Sequence, residues 1–258
     1  MQYIYKQSSQ HYVKIGTGPK TILLLHGFLE SSRMWQFFMN HFYPSYQTLA
    51  PDLLGHGSSE GIGYVYHMED MAAAVNSLLE VEKIPKVSII GHSMGGYVAL
   101  AFAEMFPDKV AQVILLNSTP QADSSERKLN RDRAIELVKK NKDAFIRMSI
   151  ANLLAENNRE RYFDELESLK EEALPMTAQQ VVASLEGMKI RKNRVQFWKE
   201  ISVPKMIIAG REDPIIPLDE IQKIADQTTT PLRVMDGGHL SYIEDRENLI
   251  KVLSKELI

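Results

Sequence analysis

The sequence predicts an α/β fold built on a doubly wound, mostly parallel sheet. Two patterns carry that reading. Six short, nearly continuous apolar runs, at about 21–25, 46–50, 86–90, 112–116, 204–209 and 231–235, have the composition of strands buried on both faces. Amphipathic segments of helical period separate most of them, and such strand–helix alternation feeds successive strands into one sheet in parallel.

Taken in order, the chain opens with two segments, about 2–6 and 11–15, that alternate polar and apolar residues. A half-exposed strand reads with period two, so an antiparallel hairpin at one edge of the sheet fits both. Helical patterns then fall at about 32–42, 68–82, 94–106, 191–200, 217–227 and 243–257 between and after the apolar runs. The stretch 119–199 interrupts the alternation. It holds no strand pattern, and its apolar residues (Phe145, Met148, Leu153 and Leu154, then Val181, Val182, Leu185 and Met188) recur at helical spacing. Thr177 followed by Gln180 has the form of a capping box, with Pro175 marking the boundary before it. The expectation is an α/β core made of 1–118 and 200–258, with a helical lid of about four helices, 119–199, over the carboxyl edge where parallel sheets bind ligands.

Composition narrows the function. A chain of 258 residues with 44% hydrophobic and 24% charged residues buries a core of full size. A net charge of -3 gives no basic field, so neither nucleic acid nor an anionic membrane is an expected partner. With no cysteine there is no disulfide, thiolate zinc site or thiol nucleophile, which leaves the chemistry to oxygen and nitrogen groups. His, Asp and Glu show no metal-ligand spacing, so no metal and no cofactor are expected. The N-terminus lacks a basic start and apolar run, and no window reaches the roughly 18 to 20 apolar residues of a membrane span. A cytoplasmic location is the expectation.

The stretch Lys86-Val87-Ser88-Ile89-Ile90-Gly91-His92-Ser93-Met94-Gly95-Gly96 runs from a buried strand through a sharp turn into a helix. Gly91-His92-Ser93-Met94-Gly95 fits G-x-S-x-G, the pattern of a nucleophile elbow, in which glycines let a strained turn lift the serine clear of the sheet. A serine hydroxyl needs a base and a group to orient that base, and after such an elbow the acid and then the histidine follow in the chain. Six of the seven histidines precede Ser93, and only His239 follows it, in a glycine-rich loop after the run 231–235. Asp213 lies past the carboxyl end of the run 204–209 and is the chosen acid, with Glu212 and Asp219 as rivals. Donors for a developing oxyanion are expected from the backbone N–H groups of Met94, at a helix N-terminus, and Phe28, in the loop after 21–25. His26 is read as holding that loop, Asp52 and His56 as bracing the floor of the site, and Trp35 as core. Met148, Met176 and Met188 are read as lid core before pocket lining.

Together, His26-Gly27-Phe28, Asp52-Leu53-Leu54-Gly55-His56-Gly57-Ser58-Ser59, Gly91-His92-Ser93-Met94-Gly95-Gly96, Gly210-Arg211-Glu212-Asp213 and Gly238-His239 resemble the α/β-hydrolase superfamily, in its branch of small, lidded, carboxylesterase-like members. The resemblance covers about 1–118 and 200–258. It implies an eight-stranded, mostly parallel sheet flanked by helices, and a Ser-His-Asp mechanism. Epoxide hydrolases and haloalkane dehalogenases of this superfamily place an aspartate where Ser93 stands. Menaquinone-pathway lyases usually carry an arginine soon after the serine, where this chain has Tyr97. The expectation is a serine hydrolase, monomer or homodimer, that cleaves a small to medium, largely apolar carboxylic ester through an acyl-enzyme. Carbon-carbon bond hydrolases and haloperoxidase-like perhydrolases share the triad and stand as alternatives. A ligand-binding receptor with a slow, retained triad is the alternative of another class.

Overall fold

The computed structural model describes the chain from Met1 to Ile258. Eight strands, β1 (Gln2–Tyr5), β2 (Ser8–Ile15), β3 (Thr21–Leu25), β4 (Gln47–Pro51), β5 (Val87–His92), β6 (Val110–Leu116), β7 (Lys205–Gly210) and β8 (Leu232–Met235), form one sheet in the order β1-β2-β4-β3-β5-β6-β7-β8. β1 with β2 and β2 with β4 pair antiparallel, and every other pairing is parallel. The apolar runs explain the centre of this order: every residue of β3 and β5 is buried, as a strand covered on both faces requires. The edge hairpin turns through Lys6 and Gln7, both with positive φ (46° and 65°). That is the backbone of a two-residue hairpin turn whose twist matches the strands it joins. β2 accordingly begins at Ser8, three residues before the alternating pattern indicates.

Helices α1 (Gln36–Phe42), α2 (Met68–Val81) and α3 (Met94–Met105) alternate with the strands, and α4 (Ser125–Ala151), α5 (Phe163–Ala173), α6 (Ala178–Lys189) and α7 (Val195–Glu200) follow one another between β6 and β7. The chain closes with α8 (Leu218–Thr228) before β8, and α9 (Ser241–Glu244) and α10 (Arg246–Glu256) after it. Two local devices set the α4–α6 segment. Ser124 caps α4 by accepting from the Arg127 amide, and Thr177 and Gln180 form the reciprocal capping box that starts α6.

One apolar cluster joins sheet residues such as Leu24, Ile90 and Leu115 to Ile146, Val181 and Leu185 of α4 and α6, so the helical segment shares the core of the sheet. Its exit is anchored by Arg194, whose buried guanidinium pairs with Glu69 on α2 at 2.6 Å and Glu104 on α3 at 3.0 Å. No helix is long and apolar enough to cross a membrane.

Candidate active site

The carboxyl ends of β3, β5, β6, β7 and β8 open on one edge of the sheet, and the loops that leave them carry the candidate residues. Ser93 sits between β5 and α3 at φ 50° and ψ -116°, a backbone conformation that costs a side-chain-bearing residue of order 1–3 kcal/mol. The turn closes only around glycines. A Cβ on Gly91 would lie 2.6 Å from Gly96 Cα, and one on Gly95 would strike the carbonyl oxygen of Leu25. Two hydrogen bonds fix the elbow from outside: the Ser93 amide donates to the Leu116 carbonyl at 3.0 Å, and the Ser118 hydroxyl donates to the Ser93 carbonyl at 2.7 Å.

The structure brings Ser93, His239 and Asp213 together. His239 Nε2 is 2.8 Å from Ser93 Oγ, and His239 Nδ1 is 2.8 Å from Asp213 Oδ2. Asp213 is ionised and can only accept, so Nδ1 carries the imidazole proton and Nε2 is left to accept from the serine hydroxyl. Burial works against the charge of Asp213. His239, the Asn117 amide group and the Ile216 N–H outweigh it and hold the carboxyl below its usual range. Of the rivals, Glu212 is exposed and Asp219 pairs with Lys223 on the surface of α8.

Phe28 lies in the loop after β3, and its amide makes no hydrogen bond within the chain. This loop presses on the elbow, since a Cβ on Gly27 would lie 3.2 Å from Ser93 Cβ. Met94 begins α3, and the amides of a helix's first turn have no partner inside the helix. The two amides are therefore both available to an oxygen beside Ser93. His26 holds the loop as its position indicates: Nδ1 donates to the Gly27 carbonyl at 2.8 Å while Nε2 accepts from the Leu53 amide at 2.8 Å. Asp52 braces the floor by accepting from the amides of Ser32 and Ser58. Trp35 is fully buried.

A cavity of about 610 Å3 lies over Ser93 and His239. Phe28, Tyr97, Phe145, Leu185 and Met188 give it an apolar wall, while Ser124, Arg127, Asn130 and Arg131 from the first turns of α4 make another part polar. Met148 and Met188 line this space, whereas Met176 packs in the apolar cluster. The α4–α6 segment also grips the His239 loop, because the His239 amide donates to the Leu153 carbonyl at 2.9 Å.

Some residues of the site escape sequence reasoning. Asn117 donates to both Asp213 Oδ2 (3.0 Å) and the Gly238 carbonyl (3.1 Å), and so ties the Asp213 loop to the His239 loop. Its signal is a polar residue at the carboxyl end of the buried run 112–116. Glu30 and Tyr242, which meet beside the site, have no such local signal.

A mostly parallel sheet with a serine elbow after β5 and a histidine and carboxylate in hydrogen-bonded series above its carboxyl edge defines an α/β-hydrolase architecture. The chain belongs to the alpha/beta hydrolase fold family, whose model matches residues 20–246. Solved structures share the fold: an esterase from Thermogutta terrifontis is 30% identical over 96% of this chain and 92% of its own, with a TM-score of 0.89. Among curated proteins, 3-oxoadipate enol-lactonase 2 of Acinetobacter baylyi is 24% identical over 91% of this chain and 87% of its own length. An uncharacterized protein of Mycobacterium tuberculosis is 40% identical over 103 residues, and that match spans 30% of the relative's length.

Proposed function

We propose that the chain hydrolyses carboxylic esters of small to medium size through an acyl-enzyme on Ser93. The observation that carries this reading is the pair of 2.8 Å hydrogen bonds running from Ser93 through His239 to Asp213. Ser93 Oγ attacks the ester carbonyl as its proton passes to His239 Nε2, and the Phe28 and Met94 amides donate to the oxygen that gains charge. Such a donor is worth about 3 to 4 kcal/mol in comparable sites. His239 returns the proton to the departing alcohol. Water then gives a proton to His239 and attacks the acyl carbon, and collapse frees the acid and restores the serine. Asp213 keeps the imidazole in its tautomer and stabilises the imidazolium.

The cavity supports a substrate with an apolar part against Phe28, Tyr97 and Phe145 and room for a polar end near α4. The similar esterase and lactonase act, by their names, on carboxylic esters or on a cyclic one. We assign α4–α6 the role of a lid that shapes this space.

The test is fluorophosphonate labelling together with a panel of p-nitrophenyl esters, lactones, amides and a vinylogous diketone. One label per chain, lost in Ser93→Ala with the melting temperature nearly unchanged, and turnover of esters or lactones are expected. Labelling that survives Ser93→Ala, or turnover of the diketone alone, overturns the assignment.

A further inference from the structure

Beside the Asp213–His239 pair lies a second buried carboxylate–imidazole pair that the mechanism above does not use. Glu30 follows the loop of the Phe28 amide. Its Oε2 accepts from the Gly27 amide at 2.6 Å and faces His92 Nδ1 at 2.8 Å, while Oε1 accepts from the Tyr242 hydroxyl at 2.9 Å. The other ring nitrogen, His92 Nε2, lies 2.9 Å from the carbonyl oxygen of His239. A carboxylate and a carbonyl can only accept. A neutral imidazole would set a bare lone pair against one of them, so both nitrogens carry protons and His92 is an imidazolium. Burial alone would pull this ring down, but the charge and hydrogen bond of Glu30 outweigh it and raise His92 above its ordinary value. Burial likewise opposes the charge on Glu30, and His92 outweighs it and holds the carboxyl low.

We propose that Glu30 and His92 form a charged positioning pair that sets the oxyanion loop and the backbone of the base against the nucleophile; this rests on the serine-hydrolase reading. Three segments that the chain does not connect locally meet at this pair. Gly27 precedes Phe28, His92 precedes Ser93, and the carbonyl gripped by His92 Nε2 belongs to His239 itself, with Tyr242 three residues on. The rings of His92 and His239 stand 5.2 Å apart, and their placement depends on one carboxylate accepting three donors. A buried ion pair is a poor source of stability against an apolar replacement of the same shape, so its distinguishing product here is geometry.

Glutamine at position 30 keeps the shape but not the bonds. An NH2 group in place of Oε2 would face the Gly27 N–H. In place of Oε1 it would leave His92 either uncompensated or with a bare nitrogen against one acceptor. The other titratable groups that act on the pair and on Tyr242 are the neutral His26 and the charged Asp213, Glu172 and Arg246.

The decisive measurement is nitrogen NMR of the whole chain with labelled histidine, joined to steady-state kinetics. At neutral pH both His92 ring nitrogens are protonated in the wild type, and one is bare in Glu30→Gln. The folded Glu30→Gln protein loses about 100-fold in kcat, the scale of a misplaced reacting group, with KM little changed. As pH rises, kcat of the wild type falls in step with loss of the His92 proton, which serves as the test if Glu30→Gln does not fold. A bare His92 nitrogen in the neutral wild type, full kcat in folded Glu30→Gln, or kcat indifferent to the His92 titration overturns the proposal. The ring spectrum needs no substrate, so it holds or fails whether or not esters are turned over.

Discussion

At Ser93 the demands of chemistry and of stability diverge. A side chain there must take φ 50° and ψ -116°, which only the surrounding turn enforces. Ser93→Gly is therefore expected to stabilise the fold by about 1 kcal/mol as it removes the proposed nucleophile, whereas Ser93→Ala keeps the strain and leaves stability unchanged. Urea unfolding of the two variants checks this, and equal midpoints would show that the turn carries no strain. The same strain made the residue legible in sequence, because a turn this tight leaves glycine as the fitting residue at positions 91 and 95. His239 was legible by chain order, and Asp213 by standing just past a buried strand. Asn117 stood at the end of a buried strand, but its bond to Asp213 spans 96 positions, and Glu30 had no local signal at all, since its bonds to His92 and Tyr242 span 62 and 212 positions.

Elements were legible where burial imposes a period. All six continuous runs are strands of the sheet's interior or far edge, and the alternating pair is the antiparallel hairpin. The turn at Lys6-Gln7 lacks the glycine or asparagine that usually marks a left-handed pair, which hid the start of β2. The helical segment was less legible because its shape depends on one break. α4 is interrupted at Asn141 (φ -157°, ψ 90°), whose side-chain oxygen accepts from the Ala144 amide at 3.0 Å and so caps the second half. Next to it, Lys142 Nζ donates to the Leu174 and Met176 carbonyls and pins the break to the end of α5. Both halves reach the cavity, the first through Arg127 and Ala134, the second through Phe145 and Met148. Asn141→Ala is expected to destabilise the second half by about 1 kcal/mol. Amide exchange should quicken over 142–151 and leave β5 untouched, and KM should rise more than kcat falls. Unchanged exchange over 142–151 would mean that the cap contributes nothing.

For the molecule as a whole, the buried ionisable groups set a pH of greatest stability. His26 and His56 are held neutral, both chiefly by burial, with His56 pushed down to about 3. His26 cannot take a second proton without losing the Leu53 amide that its Nε2 accepts. Below about pH 6.5 the unfolded chain protonates both rings while the native state does not, so stability falls as pH falls, by about 1.4 kcal/mol per pH unit for each proton. Near pH 4 the slope steepens. Glu30, Asp52, Asp123 and Asp213 are all held below their usual ranges against the penalty of burial, and their contribution is lost as pH drops through the native values. His92 works in the opposite sense: its raised value gives stability that is complete below about pH 6.5 and is lost as pH climbs through the native value. The opposing slopes meet near neutrality on the acid side, which puts the maximum of unfolding free energy at about pH 6.5. Urea unfolding between pH 4 and pH 9 at fixed ionic strength measures this directly. A curve that stays flat from about pH 6.5 down to pH 5 would show that His26 and His56 are protonated in the native state, and with it that the floor beneath Phe28 is not the neutral hydrogen-bonded layer their geometry describes.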